Sequence, residues 1–177
     1  GTATTSTGAV LVMGGFGGFA FPHLNDVWAT SDGGVSWAEL TSAAPWSRRA
    51  LFGTATTSTG AVLVMGGIAN VSKSLLNDIW RTSDGGVTWD ELTSAAPWSG
   101  RLAFGTATTS TGAILVMAGE HTNSDNLNDV WTTATDGLTW AEVTSAAPWS
   151  SRINFGTATT LTGAVLVMGG FDSTDLS

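Results

Sequence analysis

The chain has no cysteine and no tyrosine, and its 177 residues hold only six Lys and Arg, four prolines and two histidines. Each shortage excludes something. Without cysteine there are no disulfides, no thiolate metal ligands and no cysteine nucleophile. Without tyrosine there is no phenolic nucleophile. Six basic against fourteen acidic residues give a net charge of −8, which repels phosphate backbones and anionic lipid, so nucleic acid is not an expected partner. No apolar run approaches the roughly 18–20 residues that a membrane helix needs, and no membrane insertion is expected. What the chain does have is 23 glycines, nine tryptophans and abundant Thr and Val, a composition suited to many short strands joined by tight turns.

The dominant feature is a repeat. GTATTSTGAVLVMGG occupies residues 1–15 and returns unchanged at 53–67; GTATTSTGAILVMAG follows at 105–119 and GTATTLTGAVLVMGG at 156–170. The starts are 52, 52 and 51 residues apart, so the chain divides into units at 1–52, 53–104 and 105–155 and a partial unit at 156–177. A period of this size means that one supersecondary unit is copied and buries its apolar faces against its neighbours. Leu176-Ser177 falls where Leu24-Asn25, Leu76-Asn77 and Leu127-Asn128 fall in the other copies, and the reading expects the repeat to continue beyond it.

Within the second copy, Phe52 to Thr57 is a short Thr-rich strand, a, closed by a Ser-Thr-Gly turn. Ala61 to Met65 is a continuous apolar run of strand length, b, which needs both faces buried. Gly66-Gly67 is expected to end it, and IANVSKSL at 68–75 reads as a loop. Asn77 to Thr82 forms strand c, Asp84-Gly85-Gly86 a tight turn, and Thr88 to Leu92 strand d. Pro97 marks 94–99 as a link, not a strand. The prediction is an all-β protein of β-propeller type, built as four-stranded antiparallel blades at 1–42, 53–94 and 105–145, with strands a and b of a fourth at 156–170. A β-solenoid fits less well, because its coils are usually shorter and carry no Asp-Gly-Gly hairpin within one repeat.

Two family patterns overlie this unit. Gly14-Gly15, Leu24 to Trp28 and Trp37, repeated at Gly66-Gly67, Leu76 to Trp80 and Trp89, resemble kelch repeats; the third copy departs at Ala118-Gly119. Thr30-x-Asp32-x-Gly34-x-x-Trp37 and Thr82-x-Asp84-x-Gly86-x-x-Trp89 are similar to the Asp-box of sialidase-like and sortilin-like propellers. In the third copy Thr135 stands in place of the Asp, and Asp136 is displaced by one. Both resemblances imply a propeller, and neither implies a chemistry.

The recurrent side chains carry two readings each. Tryptophans at 28, 37 and 46, at 80, 89 and 98, and at 131, 140 and 149 are either packing residues or sugar-stacking platforms; those of the strands read as packing, with Trp37, Trp89 and Trp140 expected between blades. Trp46, Trp98 and Trp149 lie in the links, and with Arg49, Arg101 and Arg152 they make a Trp/Arg set typical of binding hot spots. Each Arg either pairs with a neighbouring carboxylate or joins a clamp on a ligand carboxylate, as the sialidase-like resemblance implies. That chemistry also uses a tyrosine nucleophile, which is absent, and galactose-oxidase relatives of kelch need Tyr, Cys and His around copper. Asp32 and Asp84 are the candidates for calcium, although each suits an Asx turn across its own glycines. His23 and His121 occupy non-equivalent loop positions, so no metal site and no cofactor is expected. Asn70-Val71-Ser72 is a glycosylation acceptor.

In an up-and-down blade the a–b and c–d turns emerge on one side, and the b–c loops and links on the other. FGGFAFPH at 16–23 aligns with IANVSKSL at 68–75 without one identity, next to fifteen residues that are identical. Divergence on a constant scaffold singles out the b–c loop face, with Phe16, Phe19, Phe21 and His23 beside the link Trp and Arg residues, as the expected meeting place for a glycan or protein. The functional expectation is therefore a non-catalytic binding or scaffolding module at the cell surface or outside the cell. Its rivals are a filament subunit that self-associates through blade edges, and part of an enzyme whose active residues lie elsewhere.

Overall fold

The computed structural model describes residues 1–18, 23–69, 74–122 and 125–172. It is all-β, with strands joined in sequence order as antiparallel meanders. The first blade contains β1 (Thr2–Thr4), β2 (Val10–Gly15), β3 (Leu24–Thr30) and β4 (Ala38–Thr41). The second contains β6 (Gly53–Thr56), β7 (Val62–Ala69), β8 (Ser74–Thr82) and β9 (Asp90–Thr93), and a two-residue strand, β5 (Arg49–Ala50), also joins its sheet. The third contains β10 (Gly105–Thr108), β11 (Ile114–His121), β12 (Asp125–Thr133) and β13 (Ala141–Thr144). A two-stranded sheet of β14 (Gly156–Thr159) and β15 (Val165–Met168) follows.

Successive blades stack face to face, as a sheet with two apolar faces requires. Leu11, Met13 and Val27 of the first blade pack with Val62 and Val64 of the second. The other face of the second blade, Leu63, Met65 and Ile79, packs with Ile114 and Val116 of the third. Met117 and Val130 continue the stack onto Val165 and Val167. Each fully buried aliphatic side chain contributes about 1.5–3 kcal/mol. The a strands lie side by side at the inner edge, where each copy's threonines donate to carbonyls of the copy before: Thr54 Oγ1 to Thr2 O and Thr56 Oγ1 to Thr4 O, both at 2.7 Å. Thr106, Thr108, Thr157 and Thr159 repeat the bond. These hydroxyls cover carbonyls that an inner strand leaves without a ladder partner.

Three local expectations need correction. Gly66-Gly67 does not end strand b. Both glycines adopt positive φ, 56° and 92°, and the register shifts between Met65 and Gly67, so the pair is a β-bulge and β7 runs on to Ala69. The segment 68–75 is accordingly strand at both ends, with Ile68 paired to Leu75; residues 70–73 lie outside the described residues. The link at 94–99 carries no strand, as expected, but just past the equivalent link of the first copy Arg49 and Ala50 pair with Ala69 and Ile68 of that extension. Finally, β9 starts at Asp90 and not Thr88, since Thr88 is still held by the Asp84 carboxylate.

Candidate functional site

The two ends of the blades separate as the up-and-down pattern requires. At one end the Thr5 to Thr7 turn, Gly60 and the Thr82 to Gly85 turn surround a pocket of about 190 Å³. At the other, links run beside b–c loops: Leu102 bridges Glu120, Ile153 bridges Phe171, and His121 Nδ1 lies 2.7 Å from Gly100 O.

The Asp-Gly-Gly turns use their carboxylates internally. Asp32 accepts from Val35 N, Ser36 N, Ser36 Oγ and Thr30 Oγ1, and Asp84 accepts from the equivalent Val87, Thr88 and Thr82 groups. The bonds from Ser36 and Thr30 hold the Asp32 carboxyl well below the usual range. For Asp84, burial works upward, but the bonds from Thr88, Thr82 and Val87 outweigh it and bring the group down to about 2. Gly86 adopts φ 103°, which strains any L side chain, and a Cβ there would lie 3.1 Å from Leu40 Cδ1 and 3.2 Å from Leu11 Cδ1 of the preceding blade, so those leucines would have to give way slightly. In the third copy Thr135 Oγ1 takes over the hub, accepting from Thr139 N at 2.9 Å. The displaced Asp136 takes up φ 53° and accepts from Thr59 Oγ1 of the preceding blade at 2.7 Å.

Trp46, Trp98, Arg49 and Arg101 lie inside the blade junctions, while Trp149 and Arg152 are partly exposed. Arg49 has no exposed surface and forms a forked pair with Asp78 of the following strand c, Nη1 to Oδ1 at 2.7 Å and Nη2 to Oδ2 at 2.6 Å; Nη1 also donates to Gly66 O. Arg101 repeats this with Asp129 and Ala118 O. The planar guanidinium suits two parallel bonds to one carboxylate, so the recurrent Arg and Asp form junction staples and not a clamp on a ligand. Arg152 donates to Ser150 and to Gly169 O and meets no carboxylate among the described residues. Trp46 and Trp98 are buried edge-to-face against Trp89 and Trp140, with centroids 4.3 and 6.0 Å apart, and the Arg101 guanidinium lies 5.7 Å from the Trp98 ring centre. The indole N–H groups of Trp46, Trp98 and Trp149 have no acceptor among the described residues, so these rings contribute by packing. Asn25, Asn77 and Asn128 hold the links by donating to two link carbonyls each. The Asp beside each Asn also accepts from a Trp of its own strand. This accounts for the recurrence of Asn-Asp-Val/Ile-Trp.

What stays on the b–c loop face is smaller. Phe16 is exposed and meets buried His23 edge-on, with ring centres 5.6 Å apart, while Arg48 reaches His23 O at 3.5 Å. Phe19, Phe21 and Asn70 lie outside the described residues. Sequence reasoning missed a row of backbone outliers here. Leu51, Ala103 and Asn154, each one residue before the Phe that leads into strand a, adopt φ 53°, 53° and 52°. They are linked blade to blade, Ala103 N to Leu51 O at 2.9 Å and Asn154 N to Ala103 O at 3.0 Å. Left-handed backbone in residues other than glycine is costly and clusters at functional sites. The only signal in the sequence was a position that changes from Leu to Ala to Asn between recurrent flanks.

Along the inner edge, the Thr-Ala-Thr segments of β1, β6 and β10 line a groove of about 390 Å³. Among the described residues no group of three or more His, Asp or Glu side chains could hold a metal ion, and no helix is long and apolar enough to cross a membrane. Compared with known proteins, the chain matches no family model and no curated protein.

Proposed function

We propose that the chain is a kelch-like propeller module with Asp-box turns, working outside the cell or at its surface as a binding or scaffolding element without catalysis. The observation that carries this reading is the contrast between the b–c loops and everything around them. Residues 16–23 and 68–75 share no residue, while the fifteen positions before each are identical. Loops on a rigid scaffold are where recognition usually sits. The row at Leu51, Ala103 and Asn154 lends support, because it adds strained backbone on the same face, with the differing side chains of Leu51 and Asn154 exposed and Ala103 buried between them in sequence. A glycan or an extracellular protein is the partner class, met by Phe16 and the Leu51 row; the buried Trp46, Trp98, Arg49 and Arg101 support this surface from beneath. No cofactor is assigned.

The experiment is to replace 16–23 by a Gly/Ser loop of equal length and, separately, to alter the turn at 32–34, and to compare both with the parent on an array of glycans and extracellular proteins. Binding lost in the first variant and kept in the second is the expected result. The reverse would put the partner on the turn side.

A further inference from the structure

The first two blade junctions repeat each other at the turn end except in one place. In the second junction Thr57 and Thr59 share a hydroxyl–hydroxyl bond of 2.9 Å, and Thr59 Oγ1 donates onward to the Asp136 carboxylate of the third blade at 2.7 Å. In the first junction Thr5 and Thr7 share the same bond at 3.0 Å. Two hydroxyl protons and one shared bond leave one proton over, and no acceptor among the described residues takes it here. The residue that corresponds to Asp136 is Gly85, where a Cβ would meet nothing within 4 Å. The pocket of about 190 Å³ is therefore the space that an acidic side chain of this same protein occupies one junction further on. Both of its walls belong to complete blades, and all of its lining residues are described.

The lining sets the chemistry of a guest. Thr5, Ser6, Thr7, Thr82 and Ser83 supply hydroxyls, and Val62 is the one large apolar side chain. Ser6, Thr7 and Ser83 are exposed, and the hydroxyls of Ser6 and Ser83 are bonded to nothing among the described residues. The filled junction has lost one of these groups, since Ala134 stands where Ser83 stands. Such hydroxyls both donate and accept, and a guest hydroxyl answers them in kind. Charge excludes a carboxylate guest. Asp136 lies beside a hub that is neutral Thr135, whereas the open pocket is lined by Asp84, whose carboxyl stands at about 2 and is ionised at neutral pH. The Asp84 oxygens are already taken up by the donors of their own turn, which leaves little to hold a cation. The volume lies below the roughly 300–1,000 Å³ of sites that take drug-sized ligands, so one ring fits and a chain does not.

We propose that this junction pocket binds one neutral sugar ring, a hexose held through its hydroxyls by Ser6, Thr7 and Ser83, one of them accepting from Thr7 as the Asp136 carboxylate accepts from Thr59. The site lies at the opposite end of the blades from the b–c loops. It goes beyond the binding reading above and does not depend on it.

The probes are free glucose, galactose and mannose, titrated up to about 100 mM against the 177-residue chain and followed by ligand-detected NMR and by shifts of the protein amide signals. At least one hexose is expected to saturate a single site in the millimolar range, because one ring offers few atoms. The corresponding uronate is expected to bind at least tenfold more weakly. Thr7→Val removes the spare donor, and Asp84→Thr combined with Gly85→Asp copies the filled junction; each is expected to weaken binding at least tenfold. Thr7 and Gly85 are both exposed, and thermal melts check that the blades persist. The opposite exchange, Ala134→Ser with Thr135→Asp and Asp136→Gly, is expected to open a second site and raise the stoichiometry from one to two. Replacing 16–23 by a Gly/Ser loop should leave the hexose bound, so loss of a loop-face partner and loss of this site are separate results. No saturable binding by any of the three hexoses overturns the inference. So does binding that survives both pocket variants, a uronate that binds as tightly as its hexose, or an opposite exchange that folds and adds no site.

Discussion

The second blade and the first share fifteen residues without a change, yet the structure gives those residues different environments. Val64 is fully buried and Val12 is 38% exposed; beyond the shared fifteen, the equivalent Trp89 is 8% exposed and Trp37 is 41% exposed. Val12 and Val64 have identical neighbours in sequence, and around Trp37 and Trp89 only Ser36/Thr88 and Ala38/Asp90 differ between Asp32/Asp84 and Thr41/Thr93. The difference lies in what stands beside the blade: Trp89 meets the link ring of Trp46, and Trp37 has no such ring against it among the described residues. In a repeat array, stability belongs to the interfaces between units as much as to the units, so one side chain can be central in one copy and marginal in the next.

The largest test of this contrast is to truncate both tryptophans. Trp89→Ala is expected to cost about 3–5 kcal/mol, and Trp37→Ala less than about 1 kcal/mol, because a large-to-small change is costly only where it opens a cavity. Urea denaturation of the two variants measures it, and equal losses would show that junction position does not set the energy. Next comes the staple. Arg49→Ala leaves Asp78 without its partner in a largely dry junction and is expected to cost about 3 kcal/mol, whereas Arg152→Ala, with no carboxylate against it among the described residues, is expected to cost well under that.

The third contrast is between turns. Asp84→Asn should cost about 1 kcal/mol, the loss typical of a side chain that caps backbone N–H groups. Its sign with pH follows from the carboxyl standing at about 2 instead of 3.8 in the folded chain. A depressed carboxyl stabilises the folded state above its unfolded value and loses that contribution as pH falls through its folded value. The gap between parent and Asp84→Asn should therefore hold above pH 3.8 and shrink towards pH 2. The turn around Thr135 has no carboxyl at its hub, so Thr135→Val should cost the same at both pH values. The smallest effect is a gain. Ala118 adopts φ 55° where the second copy has Gly66 at 56°, so Ala118→Gly should stabilise by up to about 1 kcal/mol in thermal or urea melts.

Much of this could be read from the chain alone. The 52-residue period, the Ser-Thr-Gly and Asp-Gly-Gly turns and the apolar run at 61–65 specify four-stranded antiparallel blades, because turn chemistry and strand patterning act over a few residues and survive copying. The recurrence of Arg49 with Asp78, and of Asn77 with the link, was visible as repetition, but which Asp each Arg would meet was not. Those partners are 29 residues apart in sequence and are brought together only by blade stacking. Gly66-Gly67 looked like a strand end because paired glycines usually break a ladder; that they form a bulge within a longer strand depends on β8 and the link pairing beyond them. Burial of Trp46 and Trp98, strain at Leu51 and exposure of Trp37 were likewise settled by what packs alongside. Local sequence determined each blade, and only the contact of one blade with the next decided which of its identical residues became core, staple or surface.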